Sequence, residues 1–179
     1  MNADSKERLK VIMEKYPKIR ELIKTGDYDT LWKGLFDPNF NEILTGPGTA
    51  ICWNPMYGCF FMTAFAESGI NCKLKEIPDY FAANPITAKF LFDLRIPDGV
   101  EKIGDSAFWD CYNLTDIYIP NSVKVINDYA FTLSLDRITS GNVPERNITI
   151  PARFENDLSR IGIWPENKKD IVKDTVTFI

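Results

Sequence analysis

The sequence predicts an α/β protein in which a helical N-terminal region, residues 1–70, is followed by a short solenoid of stacked parallel strands with a C-terminal cap, residues 71–179. Three observations predict it. Residues 92–131 state nearly the same pattern twice: Pro97 and Pro120, Val100 and Val123, Ile103 and Ile126, Ala107 and Ala130, and Phe108 and Phe131 are each 23 positions apart. Each copy opens on an alternating trio, Leu94-Arg95-Ile96 and Ile117-Tyr118-Ile119, which puts two aliphatic side chains on one face of a short strand. Upstream, apolar residues recur instead at helical spacing.

The logic of one unit follows from its residues. Pro97 and Pro120 cannot donate to a ladder and end the strand, and Asp98-Gly99 and Asn121-Ser122 supply turn chemistry. Val100 and Ile103, like Val123 and Ile126, return aliphatic residues to the interior, and Ala107-Phe108 and Ala130-Phe131 add a small and a large packing residue. A single turn cannot bury this surface, whereas stacked identical turns can, so several units and two caps are required.

These residues resemble the BspA-type leucine-rich repeat, whose units read as strand, Ile-Pro, a Val-x-x-Ile step, an Ala-Phe pair and then Cys-x-x-Leu, here Cys111-Tyr112-Asn113-Leu114. The 23-residue offset predicts that Leu94, Ile96, Val100, Ile103, Ala107, Phe108, Leu114, Ile117, Ile119, Val123, Ile126 and Phe131 point inward, and the resemblance implies that Cys111 does too. The second unit lacks the Cys-x-x-Leu ending. A third strand start occurs at Ile148-Thr149-Ile150-Pro151, but Pro120 to Pro151 is 31 positions, so eight residues are inserted within 132–147. Glu76-Ile77-Pro78, 19 positions before Pro97, is expected to open a degenerate first coil, and Val176 to Ile179 to form a last strand. The polar stretch after Pro151, with Arg153, Asp157, Arg160 and the charged run 166–170, is expected to cover the open end.

In the N-terminal region, Asp4 and Glu7 have capping-box spacing, and residues 5–16 read as a first helix. Pro17 restarts a second helix carrying Ile19, Leu22 and Ile23 until Gly26. Asp27 is expected to cap a third, with Leu31, Trp32, Leu35 and Phe36, ended by Asp37-Pro38. Gly46-Pro47-Gly48 reads as a loop. Asn54-Pro55 then opens a helix closed by Gly69, apolar nearly all round and so expected between the N-terminal helices and the first coil.

Composition narrows the function. The chain is 45% hydrophobic with mean hydropathy −0.19, ordinary for a globular protein. The first ten residues lack a following apolar run, and the most apolar stretch, Met56 to Ala66, is too short to span a bilayer, so a cytoplasmic location without membrane contact is expected. Relatives carrying this repeat are often surface proteins, and small ones also occur among phage genes, where blocking a host protein is a plausible role. The four cysteines, Cys52, Cys59, Cys72 and Cys111, match no zinc spacing, and with no histidine neither a metal site, a cofactor nor a Ser-His or Cys-His pair is expected. Net charge −4 argues against a nucleic-acid partner, although Lys6, Arg8, Lys10, Lys15, Lys18, Arg20 and Lys24 leave a basic face on the first helices.

The expected function is therefore a non-enzymatic module that binds a protein. Alternatives are a phage-type inhibitor of a host protein, nucleic-acid association through the basic helices, and a carboxylate or thiol enzyme. Alternation places two columns on the strand face: Asp93, Asp116 and Asn147, and beside them Arg95, Tyr118 and Thr149. Trp109, Tyr112 and the insertion at 132–147 are expected to widen this patch, because aromatic residues and arginine are enriched at binding hot spots. The oligomeric state stays open.

Overall fold

The computed structural model describes residues 7, 10–11, 13–36, 55–67, 69, 74–83, 88–89, 91–141, 143–164 and 174–179. Helices come first. Residues 13–15 are helical, and Pro17, whose missing N–H is no loss in a first turn, begins α1 (Pro17–Thr25). Gly26, at φ 71°, turns its N–H back to the Ile23 carbonyl and ends it. Asp27 caps α2 (Tyr28–Phe36) by accepting the Thr30 N–H at 3.1 Å. The apolar helix is α3 (Pro55–Glu67), and it packs against both α2 and the first strand of the larger sheet. The expected caps at Asp4 and Asn54, the loop at Gly46-Pro47-Gly48, Cys52, Cys72 and the run 166–170 lie outside the described residues.

From β1 to β6 the strands alternate between two parallel sheets, and β7 joins the sheet of β6. β2 (Asp93–Arg95), β4 (Asp116–Tyr118), β6 (Arg146–Ile150) and β7 (Asp174–Phe178) form one, and β1 (Glu76–Ile77), β3 (Lys102–Ile103) and β5 (Val125–Ile126) form the other. The two central coils each make a strand in the first sheet, β2 and β4, turn at Pro97 and Pro120, and then make a shorter strand in the second, β3 and β5. Leu94 pairs with Ile117 and Ile117 with Ile148, so the 23-residue offset is the pairing register of the first two coils. All twelve residues expected inside are at most 3% exposed. Phe81, Phe108 and Phe131 stack through the interior, edge-on at 6.2 Å and then face to face at 5.3 Å. The core is continuous from α1 to the last coil, joining Ile19, Leu31 and Phe65 to the coil interior.

Two expectations about the outer coils are corrected. Glu76-Ile77-Pro78 does not open a coil; Ile77 pairs with Ile103, 26 positions on, so this segment is the second-sheet strand of its coil and matches the Val-x-x-Ile step. The N–H of Tyr80 and of Ala82 then bond to the carbonyls of Asp105 and Ala107, which fixes that register. Gly104, following β3, lets the chains approach so closely that a Cβ there would lie 2.5 Å from the Asp79 nitrogen. The last strand begins at Asp174, not Val176, and the third at Arg146.

Those two added residues are a buried ion pair. Arg146 and Asp174 are 2% and 3% exposed, and Nε and Nη2 donate to the two carboxylate oxygens at 2.8 and 2.6 Å. The remaining contacts of the guanidinium go to the carbonyls of Phe131 and Gly162, both at 2.8 Å, and the Trp164 N–H donates to Asp174. The pair thus ties β6, β7 and two loops together.

The inserted residues contain a short helix, α4 (Leu135–Ser140). After Pro151, a turn at Ala152–Phe154 and the helix α5 (Leu158–Ile161) cover the end of the second sheet. Arg153 donates to the Val123 carbonyl at 3.1 Å, and Arg160 pairs with Asp128 at 2.6 Å. The opposite edge of the first sheet is met by α3, where Thr63 Oγ1 accepts the Arg95 N–H at 3.0 Å.

Two outcomes are expected. Val123→Asp places an unpaired carboxylate where Val123 is fully buried, and the loss of several kcal/mol against a total of about 5 to 15 kcal/mol unfolds the protein; an unchanged melting midpoint would refute the packing. Asp174→Ala strands a buried guanidinium and costs about 3 to 5 kcal/mol in urea unfolding, a cost far larger than that of an exposed carboxylate such as Asp98.

Candidate functional site

The outward side chains of the first sheet make the candidate site. Alternation sends Leu94, Ile117 and Ile148 into the core and their neighbours to solvent, and parallel pairing then sets equivalent residues side by side about 4.8 Å apart. Asp93 pairs with Asp116 and Asp116 with Asn147; Arg95 pairs with Tyr118 and Tyr118 with Thr149. Between the columns runs a shallow groove of about 180 Å³, lined by all six of these residues, floored by Leu94 and Ile117, and bounded by Glu67 at the end of α3.

Within the groove the side chains are ordered by one another. The Arg95 guanidinium lies 4.2 Å from the centre of the Tyr118 ring, a cation–π contact between neighbouring strands. Thr115 donates its hydroxyl to an oxygen of Asp116 at 2.9 Å. Asp93 and Asp116 stack like charge on like charge, which a sheet does not favour.

Trp109 and Tyr112 lie elsewhere. They follow the Ala107-Phe108 turn and do not line the groove; Trp109 is 41% exposed, and Tyr112 is covered by Arg137 of α4, whose guanidinium sits 3.7 Å from its ring centre. The insertion therefore folds onto Tyr112. Glu67 is the groove residue that sequence reasoning did not find, because only the docking of α3 against β2 brings it there.

The second sheet uses its outward charges differently. Lys75, Glu101 and Lys124 occupy one column with alternating sign, and Glu101 accepts from both lysines at 2.8 Å; Glu76 and Lys102 pair in the next column. These charges bridge coils. Hydrogen bonds from Lys124 and Lys75 hold the Glu101 carboxyl at about 2, down from 4.5. On α1, Lys18 pairs with Glu21 at 3.0 Å. Cys59 and Cys111 are buried, and burial pushes both thiols up, Cys111 to about 12, away from the accessible thiolate that nucleophilic chemistry needs. Among the described residues no cluster of three or more His, Cys, Asp or Glu is arranged to hold a metal.

Coils that repeat a strand, stack it in parallel register and turn a polar face outward define a repeat protein whose exposed surface can vary while its interior cannot. The chain matches the BspA type leucine rich repeat region, in six copies, over residues 57–166, and it belongs to that family. The match extends the repeat well beyond residues 92–131 and begins inside α3. Neither a curated protein nor a solved structure matches the chain.

The Glu101 geometry yields a pH prediction. Because its carboxyl is lower in the folded than in the unfolded chain, the stabilisation is complete above about 4.5 and disappears as pH falls through about 2. Glu101→Gln should thus be less stable than the wild type near neutrality, with the two denaturation midpoints converging toward pH 2; a gap that persists there would show that the carboxylate charge is not the source.

Proposed function

We propose that the protein is a non-enzymatic interaction module that docks a protein partner on the groove of the first sheet. Leucine-rich repeats are generally protein-interaction modules, and the finer reading adds where and how. In it the two sheets form a short solenoid, residues 1–70 are its helical cap, and the docking face belongs to residues 71–179. The observation that carries the reading is the stacking of Asp93 on Asp116 beside Arg95 on Tyr118 around one groove. The second sheet alternates its charges and so stabilises the coils, whereas this face places like charges together and leaves an arginine–tyrosine pair at the surface. Those residue types are enriched at hot spots.

The patch is narrow against an interface of roughly 800 Å² per partner, so neighbouring surface, Glu67 and the end of α3 first, completes it. No helix among the described residues is long and apolar enough to cross a membrane; a cytoplasmic partner, including a host protein blocked by a phage product, fits this reading. Alanine at Arg95 and Tyr118 together should reduce capture of the partner in a pull-down from native cell extract at least tenfold, with stability held within about 1 kcal/mol, as for other half-exposed positions. Undiminished capture by the double variant would move the site to α1 and α2, where steep loss of binding with salt would identify the nucleic-acid alternative.

A further inference from the structure

Among the described residues the first sheet is sealed at one end and, beyond Asp174, open at the other. At β2, α3 takes up the outward Arg95 N–H. At β7, the Ile179 N–H bonds to the Ile150 carbonyl and the Ile179 carbonyl accepts from Ala152, so Thr175, Thr177 and Ile179 direct their backbone groups toward the body of the protein. Val176 and Phe178, of opposite parity, direct theirs away, and among the described residues no backbone bond from outside the sheet reaches them, whereas Asp174, of the same parity, gives its N–H to the Trp164 carbonyl at 3.2 Å. The same end exposes apolar side chain: Phe178 is 39% and Ile179 41% accessible. Natural edges are usually blunted by lysine, proline, a bulge or an inward charge facing solvent. The strand Asp174-Thr175-Val176-Thr177-Phe178 has neither lysine nor proline, and its one charge is buried against Arg146.

We propose that this edge pairs with the same edge of a second copy of the chain, antiparallel, about a two-fold axis at Thr177. A row of unpaired amides and carbonyls is matched only by another strand, and the side chains make this strand its own complement. Outward groups must face outward groups, so Val176 lies opposite Phe178 of the second copy and the reverse, exchanging about four hydrogen bonds. Their side chains then meet on the core face, where the exposed Phe178 ring is covered. Thr177 faces its counterpart in the non-hydrogen-bonded position, a favourable threonine pair with no charge opposed to a like charge. The contact is isologous. It makes one continuous sheet of the two first sheets, with both grooves on the same side, and it is independent of what the grooves bind.

Sedimentation velocity over a wide concentration range tests the pairing, with the wild-type chain, Thr177→Lys, Thr177→Glu and an equal mixture of the two variants. Expected are concentration-dependent dimers of the wild type, monomers of each variant alone because like charges face each other across the axis, and dimers again in the mixture. Thr177 is exposed, so thermal melting of the variants should match the wild type. A wild type that stays monomeric throughout, as it would if the edge served a different protein, overturns the proposal. So does association that survives in both variants, or a mixture that stays monomeric.

Discussion

Hydrogen bonding between equivalent positions of successive coils is the constraint on which the rest depends. Once Leu94 is paired to Ile117 and Ile103 to Ile126, every residue of one coil rests on its counterpart in the next, about 4.8 Å away. What suits one coil must then also suit stacking on itself. Aliphatic residues and phenylalanine meet that condition in the interior, where Phe108 lies on Phe131 with the rings 7° from parallel. Charges do not meet it unless their sign alternates, as in the column Lys75, Glu101, Lys124. Asp93 beside Asp116 departs from that alternation, on the face that carries the groove.

This constraint also explains what could be read from the sequence. The offset of 23 positions is itself the register, so the inward residues and both outward columns were legible before any coordinates. Proline at the start of α1, glycine after it and Asp27 before α2 act through local backbone chemistry and were legible too. The second sheet was not. Its strands are two residues long, too short to alternate, and a Val-x-x-Ile step has no period that distinguishes a strand from a turn. That is why Glu76-Ile77-Pro78 was matched to the wrong strand: an isoleucine before a proline is a short word, and the pairing of Ile77 with Ile103 is a long-range fact.

Charge at the surface and charge in the interior are equally hard to tell apart from sequence. Nothing local joins Arg146 and Asp174, 28 positions apart, and only the β6–β7 pairing makes them neighbours. Tyr112 is a second case. As a residue type it suits an interface, yet the insertion that follows the second coil brings Arg137 over its ring. A residue's chemistry indicates what it can do; the route of the chain decides whether it is available.

The buried pair fits the needs of a terminal strand. β4 is held in register from both sides, by β2 and β6, whereas among the described residues β7 pairs with β6 alone. An apolar contact tolerates sliding, since it has no preferred direction. A slip of one residue would move Asp174 by about 3.3 Å along the strand and exchange the inner and outer faces of β7. The guanidinium does not permit it: Nε and Nη2 address two separate carboxylate oxygens, while Nη1 and Nη2 are anchored on the Phe131 and Gly162 carbonyls. Burial makes a wrong register costly, because each misplaced partner would leave a charge without compensation. The ion pair therefore does for the last strand what stacking on both sides does for the inner ones, and it keeps Thr175 and Thr177 on the face that carries the columns of the groove.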